Sequence, residues 1–406
     1  MYFVRHAEKT LTESAKYFPA VLVTGARQVG KSTLLQHKLK TFKYITMDDD
    51  VALDAIRDDA YGFLTAQGTP AIYDEVQRAA DSFNVVKRII DTNKQPGMFF
   101  FSGSQKFALM QGLSESLAGR IGIVELLGLS NREIWKDNFS VPFLPTKNYL
   151  SLRKTKIKMD NSQLWRCVQR GSYPELWEKK DFPADKFYNA YLQTYLERDV
   201  RQLSQVGDLR SFRRFMGILA GRIGGLFNLT SAARDAEIDV KTAKRWVSVL
   251  EASNLIYLLQ PFSTNAAKRV IKTPKLYFYD TGLVCYLTKW TSPETAEAGA
   301  QAGALFENFV LMEIVKSYTN AGQEAPVYYF REAGGREIDL LLYQNNTLYP
   351  IEIKKTASPN VKDIKNFQII GEYFSDVQIG AGGVVCNYDK VLALNEQNSV
   401  IPLAYI

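Results

Sequence analysis

Imidazole and thiol are scarce in this chain: two histidines, His6 and His37, and three cysteines, Cys167, Cys285 and Cys386, in 406 residues. The cysteines are too scattered for a metal-binding cluster, and their odd number argues against a disulfide framework. Zinc hydrolysis or a histidine-based nucleophile relay would be hard to build from so little. No apolar run approaches the length of a membrane-spanning helix. The start MYFVRHAEKT has no apolar signal core, so the expectation is a cytoplasmic protein without a membrane partner. Internal repeats and low-complexity tracts are also missing.

What is present is the balance of a folded protein, 46% hydrophobic and 23% charged, in a chain long enough for two to four domains. The formal net charge is +7, and it is unevenly placed. Residues 186–275 hold fifteen Lys and Arg against seven Asp and Glu, leaving the remainder close to neutral. A middle segment that faces a polyanion is one consequence of that asymmetry.

Strand-like runs at 19–24 (PAVLVT), 42–47 (FKYITM), 71–74 (AIYD) and 96–103 (PGMFFFSG) alternate with helical stretches such as 79–92. This predicts a parallel sheet covered on both faces. The first strand runs directly into GARQVGKS, Gly25 to Ser32, which fits G-x-x-x-x-G-K-[ST] between a strand and a helix. In such a loop Gly25, Arg27, Gln28, Val29, Gly30 and Thr33 wrap backbone N–H groups around phosphate oxygens at a helix N-terminus. Lys31 would reach the β and γ phosphates of ATP, and Ser32 would hold Mg²⁺.

The acidic partner should end another strand of the same sheet, and Asp74 and Glu75 do so in AIYDEVQR. Asp74 would hold the ion's shell through water, and Glu75 would polarise the attacking water. The other reading of the two acids is a cap on the following helix. Ser104, or Ser102, ends the FFFSGS strand and could position water or sense phosphate. Arg120 in SLAGR suits either a positive group against a neighbouring subunit's γ phosphate or a plain surface site.

On GARQVGKST, IYDEVQR, FSGS, SLAGRI, YLQTYLERDV, RWVSVLEASNLIYLLQPF, PKLYFYDTGL, FENFV and EIDLLLYQNNTLYPIEIKKTASP, the chain resembles a widespread prokaryotic ATPase family. That family joins an AAA-type ATP-binding domain to a C-terminal domain of unknown function. The resemblance runs from about residue 20 to about 360. It implies ATP as ligand, with site residues at Lys31, Ser32, Asp74, Glu75, Ser104 and Arg120, but no physiological role. An arginine finger at Arg120 would also require self-association.

The segment LTSAARDAEIDVKTAKRWVSVLEASNLI has two helices around a short turn, with Asp239 as a capping residue for the second. Ala243, Trp246, Val247, Val249 and Leu250 suit a core, and Lys241, Lys244 and Arg245 fall on the other side. IYLLQPF and KLYFYD would form the two strands of a wing, with Lys268, Arg269 and Lys272 at its basic tip. Helix face and tip together fit double-stranded or branched DNA through its phosphates. The same residues also fit a winged-helix lid packed on the ATP domain.

Near the end, REIDLLLY and LYPIEIKKT read as adjacent antiparallel strands joined through YQNNT. Glu352 and Lys354 share a face, and Asp339 would lie beside them. Glu307, in the helix of GALFENFV, could lean over the same spot. Three acids there would repel unless a cation such as Mg²⁺ sat between them. The set resembles the site of restriction-endonuclease-like (PD-(D/E)xK) nucleases, which makes metal-dependent cutting of DNA one expectation and a non-cutting clamp or scaffold another.

The expected architecture is therefore α/β, divided into a P-loop ATPase domain at 1–150, a linker at 151–184, a helical and winged-helix-like basic segment at 185–285, and a nuclease-like domain at 300–406. The expected activity is Mg-dependent ATP hydrolysis coupled to binding or processing of DNA by a homo-oligomer. The rival expectation is a nucleotide-switched adaptor for a protein partner, with the last domain as scaffold.

Overall fold

A computed structural model describes residues 2–104, 116–153, 159–195, 209–263 and 271–406. The first part is a five-stranded sheet of β1 (Ala20–Thr24), β2 (Lys43–Thr46), β3 (Ala71–Asp74), β4 (Phe99–Gly103) and β5 (Ile121–Glu125), in the order β2-β3-β4-β1-β5. Every pair is parallel. β1, β3 and β4 are buried at all positions, as central strands covered on both faces must be. Along β1 the side chains divide by alternation. Ala20 and Leu22 pack with Tyr73, Phe99 and Phe101, while Val21 and Val23 join Ile72 and Phe100 in a second core. The four expected strands are present, and β5 is an addition that only the fold reveals.

The second core does not stop at the ATPase sheet. It continues through helices Asn161–Arg170, Ala184–Tyr195, Leu209–Ala220 and Val240–Ala252 into the helix Ala302–Thr319 near the end of the chain. The stretch 151–184, expected as a connection, thus carries Leu164, Trp165, Cys167 and Val168 inside this core. Polar groups lock the same contacts. Asp280 accepts from Ser172 N (2.6 Å), Ser172 Oγ (2.7 Å) and Tyr188 Oη (2.6 Å). Glu313 accepts from Asn131 N at 2.7 Å, and Lys316 Nζ donates to Leu129 O at 2.9 Å.

Helices Leu229–Asp235 and Val240–Ala252 are followed by the antiparallel pair β6 (Ile256–Leu259) and β7 (Lys275–Phe278). Asp239 caps the second helix by accepting from Thr242 N at 2.8 Å. Its apolar side carries Ala243, Trp246, Val247, Val249 and Leu250 into the core, leaving Lys241, Lys244 and Arg245 exposed. Lys268 and Arg269 lie outside the described residues, and Lys272 is exposed.

The final part is a sheet of β8 (Val327–Arg331), β9 (Glu337–Gln344), β10 (Thr347–Lys354), β11 (Gln378–Ile379), β12 (Gly382–Cys386), β13 (Leu392–Ala393) and β14 (Asn398–Pro402), ordered β13-β14-β12-β10-β9-β8 with β11 beside β10. β9 and β10 are antiparallel, and Asn345 and Asn346 between them both have positive φ, the two-residue turn that matches strand twist. The segment around β6 reaches across to this sheet: Phe262 N donates to Tyr329 O at 2.7 Å and Tyr329 N to Gln260 O at 3.1 Å. Among the described residues, no helix is long and apolar enough to cross a membrane.

Candidate functional site

The loop after β1 is shaped by backbone that other residues adopt poorly. Gly30 has φ 95°, and a Cβ on Gly25 would fall 2.0 Å from Leu126 O. The helix Lys31–Lys38 starts at once, so its free N–H groups face the loop. Lys31 is buried, with Nζ donating to Ala26 O at 2.8 Å and Gly25 O at 3.1 Å. Arg27, Gln28, Gly30, Lys31, Ser32 and Thr33 line a cavity of about 580 Å³, which Glu75 enters from the end of β3. Its far wall comes from the helical part, through Glu175, Glu178, Lys179, Tyr191 and Thr194.

Asp74 is buried, and both its oxygens are taken by hydroxyls. Ser102 Oγ donates to Oδ1, and Tyr44 Oη donates to Oδ2 at 2.5 Å. Burial first, then the hydrogen bond to Asp74, pushes the Tyr44 phenol well up, so it stays a donor. Glu75 has φ 54°, an uncommon backbone for a residue with a side chain, and accepts from Gln77 Nε2. Glu75 starts the short helix Val76–Ser82 without a side-chain cap bond, so capping does not account for it. Ser104 Oγ and Thr24 Oγ1 are buried with no hydrogen-bond partner among the described residues.

These groups fit a hard cation. The Ser32 hydroxyl and the Asp74 carboxylate are oxygen donors of the kind Mg²⁺ takes, at the mouth of a phosphate loop. Arg120 is elsewhere. Its carbonyl accepts from Ala20 N, which sets it at the start of β1 and β5, a full strand of about 16 Å from the loop that follows Thr24. Arg120 Nε pairs there with Asp91 Oδ1 at 2.7 Å. It cannot reach phosphates held by Lys31 of its own chain.

Sequence reasoning missed Tyr44 and Arg5. Tyr44 could be found only from the strand order, which sets β2 beside β3. Arg5 is buried and donates from Nη1 to Val29 O (2.8 Å), from Nη2 to Leu127 O (2.7 Å) and from Nε to Glu133 Oε1 (3.1 Å). It thereby pins the phosphate loop to the turn after β5. Burial pushes Glu133 up, but Arg5, His6 and backbone donors outweigh it and hold the carboxyl below its ordinary range.

The C-terminal acids do come together. The β9–β10 register sets Ile351 opposite Leu340 and so brings Glu352 next to Asp339. Lys354 Nζ reaches Glu352 Oε2 at 2.6 Å and Asp339 Oδ2 at 3.2 Å. Glu307 accepts from Tyr277 Oη at 2.5 Å and Lys275 Nζ at 3.2 Å, and Lys275 also pairs with Glu337. Burial, then the Asp339 carboxylate, pushes the Glu352 carboxyl up, against the pull of Lys354. Lys354 and Lys275 bring positive charge to these acids, and among the described residues no group of three His, Cys, Asp or Glu side chains is placed to hold a metal. Lys275, counted with the basic middle, is buried in this cluster instead.

Residues 17–135 match the model of an AAA domain, and residues 161–294 and 302–406 match two domains of unknown function, DUF8612 and DUF4143. The fold and the loop thus define an AAA-type ATPase, which binds and hydrolyses ATP. The uncharacterized proteins Rv2008c of Mycobacterium tuberculosis and Mb2031c of Mycobacterium bovis are each 30% identical over 88% of this chain and 75% of their own length. The chain belongs to their family. Among solved structures, the Walker-type ATPase PABY2304 of Pyrococcus abyssi is 16% identical over 70% of this chain and 96% of its own, with a TM-score of 0.45. The Thermotoga maritima RuvB Holliday junction branch migration motor is 14% identical over 62% and 88%, with a TM-score of 0.32. Likenesses of that size carry nothing about activity.

Proposed function

We propose that the protein couples Mg-dependent ATP hydrolysis to the binding of DNA, as a homo-oligomer. The observation that carries the ATP half is the convergence of Lys31, Ser32 and Glu75 on one cavity, with Asp74 buried at the end of the strand that leads to Glu75. Lys31 and the helix N-terminus bind the phosphates, Ser32 and Asp74 would hold the ion, and Glu75 orients the water that attacks the γ phosphate. When bound, the ion would supply charge compensation on the phosphate oxygens. Ser104 supplies a hydroxyl beside that water. Arg120, remote from its own loop, acts on a neighbour's nucleotide, which is why self-association belongs to this reading.

The DNA half rests on the helix pair ending in Val240–Ala252 and the two-stranded sheet after it, read as a winged helix. Lys241, Lys244 and Arg245 are exposed on one face and form no ion pair among the described residues. ATP turnover by wild type is expected to rise with duplex or branched DNA, and Lys31→Ala to abolish turnover with or without it. Replacing Lys241, Lys244 and Arg245 by Ala is expected to lower the slope of log affinity against log salt by about 3. Turnover indifferent to any DNA, with an unchanged slope, would favour the adaptor reading.

Within this proposal the last third is a scaffold, because its acids are neutralised by their own lysines. A second reading keeps a nuclease-like site there, supported by Glu352 Oε1, which is buried with no hydrogen-bond partner among the described residues. It requires cleavage of DNA in Mg²⁺ or Mn²⁺ that is lost in Asp339→Ala while ATP hydrolysis survives. A cleavage rate that Asp339→Ala leaves unchanged ends that reading.

A further inference from the structure

We propose that the cavity enclosed by β5, the β6–β7 pair and the end of the helix Ala302–Thr319 is a binding site for a guanidinium compound. The cavity shares no residue with the phosphate-loop site.

β5 is an edge strand of the ATPase sheet, and its Ile123 is left 42% exposed beside the opening. The cavity holds about 420 Å³, within the range of about 300–1,000 Å³ usual for small-molecule sites. Tyr257, from β6, and Tyr279, just after β7, line it with ring centroids 5.6 Å apart and planes at 83°. Neither phenol hydroxyl makes a hydrogen bond among the described residues. Glu125 enters from the end of β5, where Asn254 Nδ2 donates to its Oε1 at 2.7 Å. Glu324 enters from the loop after the long helix, exposed and without a hydrogen bond or ion pair among the described residues.

Both charged side chains that line this space are carboxylates, and among the described residues no Lys or Arg lines it. Burial, then Glu125, pushes the Tyr279 phenol up; burial, then Glu324, does the same to Tyr257, and no cation pulls against either. The helix Ala302–Thr319 ends at the cavity through Thr319, so the negative end of its dipole adds to the carboxylates. Lys316, in its last turn, is engaged elsewhere, by Glu313 Oε1 at 2.8 Å and Leu129 O at 2.9 Å. A hard divalent ion suits the space badly. Such an ion gathers about six oxygens within about 2.6 Å, whereas much of this wall is aromatic or aliphatic. An organic cation is drawn by the same carboxylates and by the tyrosine faces as well. Within that class guanidinium fits best. It is planar, stacks on aromatic rings, and offers the carboxylates and phenol oxygens five donors against the three of an ammonium.

The test is calorimetric titration of the full chain with butylguanidine, and with butylurea as its uncharged isostere. Butylguanidine should bind with a Kd of about 1 mM or below, and butylurea about tenfold more weakly. N-acetylarginine methylamide carries the same group between peptide bonds. Tighter binding than butylguanidine assigns the group to an arginine of another chain, weaker binding to a free guanidine, and either supports the site. Glu324→Gln, on an exposed loop, should weaken butylguanidine about tenfold, and Tyr257→Leu about three- to tenfold. Thermal unfolding checks that both variants fold; should Tyr257→Leu fail to, Glu324→Gln alone decides. The proposal is overturned if butylurea binds as well as butylguanidine, or if Glu324→Gln binds both guanidines like wild type. It is equally overturned if neither guanidine gives heat at about 10 mM.

Discussion

Glu75→Gln is expected to bind ATP as wild type does and to lower kcat by about a hundred- to ten-thousandfold, the range for losing a positioned general base. The amide keeps the shape and the bond with Gln77 but cannot draw a proton from water. Glu75 holds a left-handed backbone at φ 54° between a fully buried strand and a short helix, with no side-chain bond capping that helix. Strain of this kind, about 1–3 kcal/mol, persists where surrounding structure enforces it, and it clusters at functional sites. Phosphate release under single-turnover conditions, beside nucleotide affinity, separates the two quantities. A variant that hydrolyses ATP within a few-fold of wild type would remove Glu75 from the chemistry.

Arg5→Ala is expected to destabilise the protein by about 3–5 kcal/mol, the range for breaking a buried ion pair by deleting one partner. Glu133 has no side-chain exposure and would be left without its guanidinium, and the Val29 and Leu127 carbonyls would lose their donors. Because Val29 lies inside the phosphate loop, nucleotide affinity should fall as well. Denaturant unfolding measures the first effect and a binding titration the second. Adding Glu133→Gln should return part of the lost stability, since it removes the uncompensated charge. Two additive losses would mean that the pair does not act as a unit.

How far the sequence could be read follows the range of the interactions involved. The phosphate loop and the acid pair ending β3 were legible because a strand, a glycine-bearing turn and a helix start are local patterns. The same holds for the helix Val240–Ala252, whose buried and exposed residues follow from its 3.6-residue period and the Asp239 cap. The β9–β10 hairpin was legible through alternation and the Asn345–Asn346 turn. Tyr44, Arg5 and Lys275 were not. Each owes its role to partners from other elements, so nothing in its own neighbourhood marks it. The lysines between the C-terminal acids show the limit from the other side. Sequence brought Asp339, Glu352 and Lys354 together, but only the placement of β7 and the helix Ala302–Thr319 brings Lys275 to Glu307.

The helix Ala302–Thr319 is buried around nearly its whole circumference, holding Leu129 and Asn131 near one end and lodging Glu307 with Lys275 and Tyr277 nearer the other. A helix planted in all three regions ties them into one packed body, so parting them as lobes would expose the apolar residues it buries. Severing the chain ahead of residue 302 would likewise leave an ATPase sheet with bare apolar flanks rather than a freestanding engine.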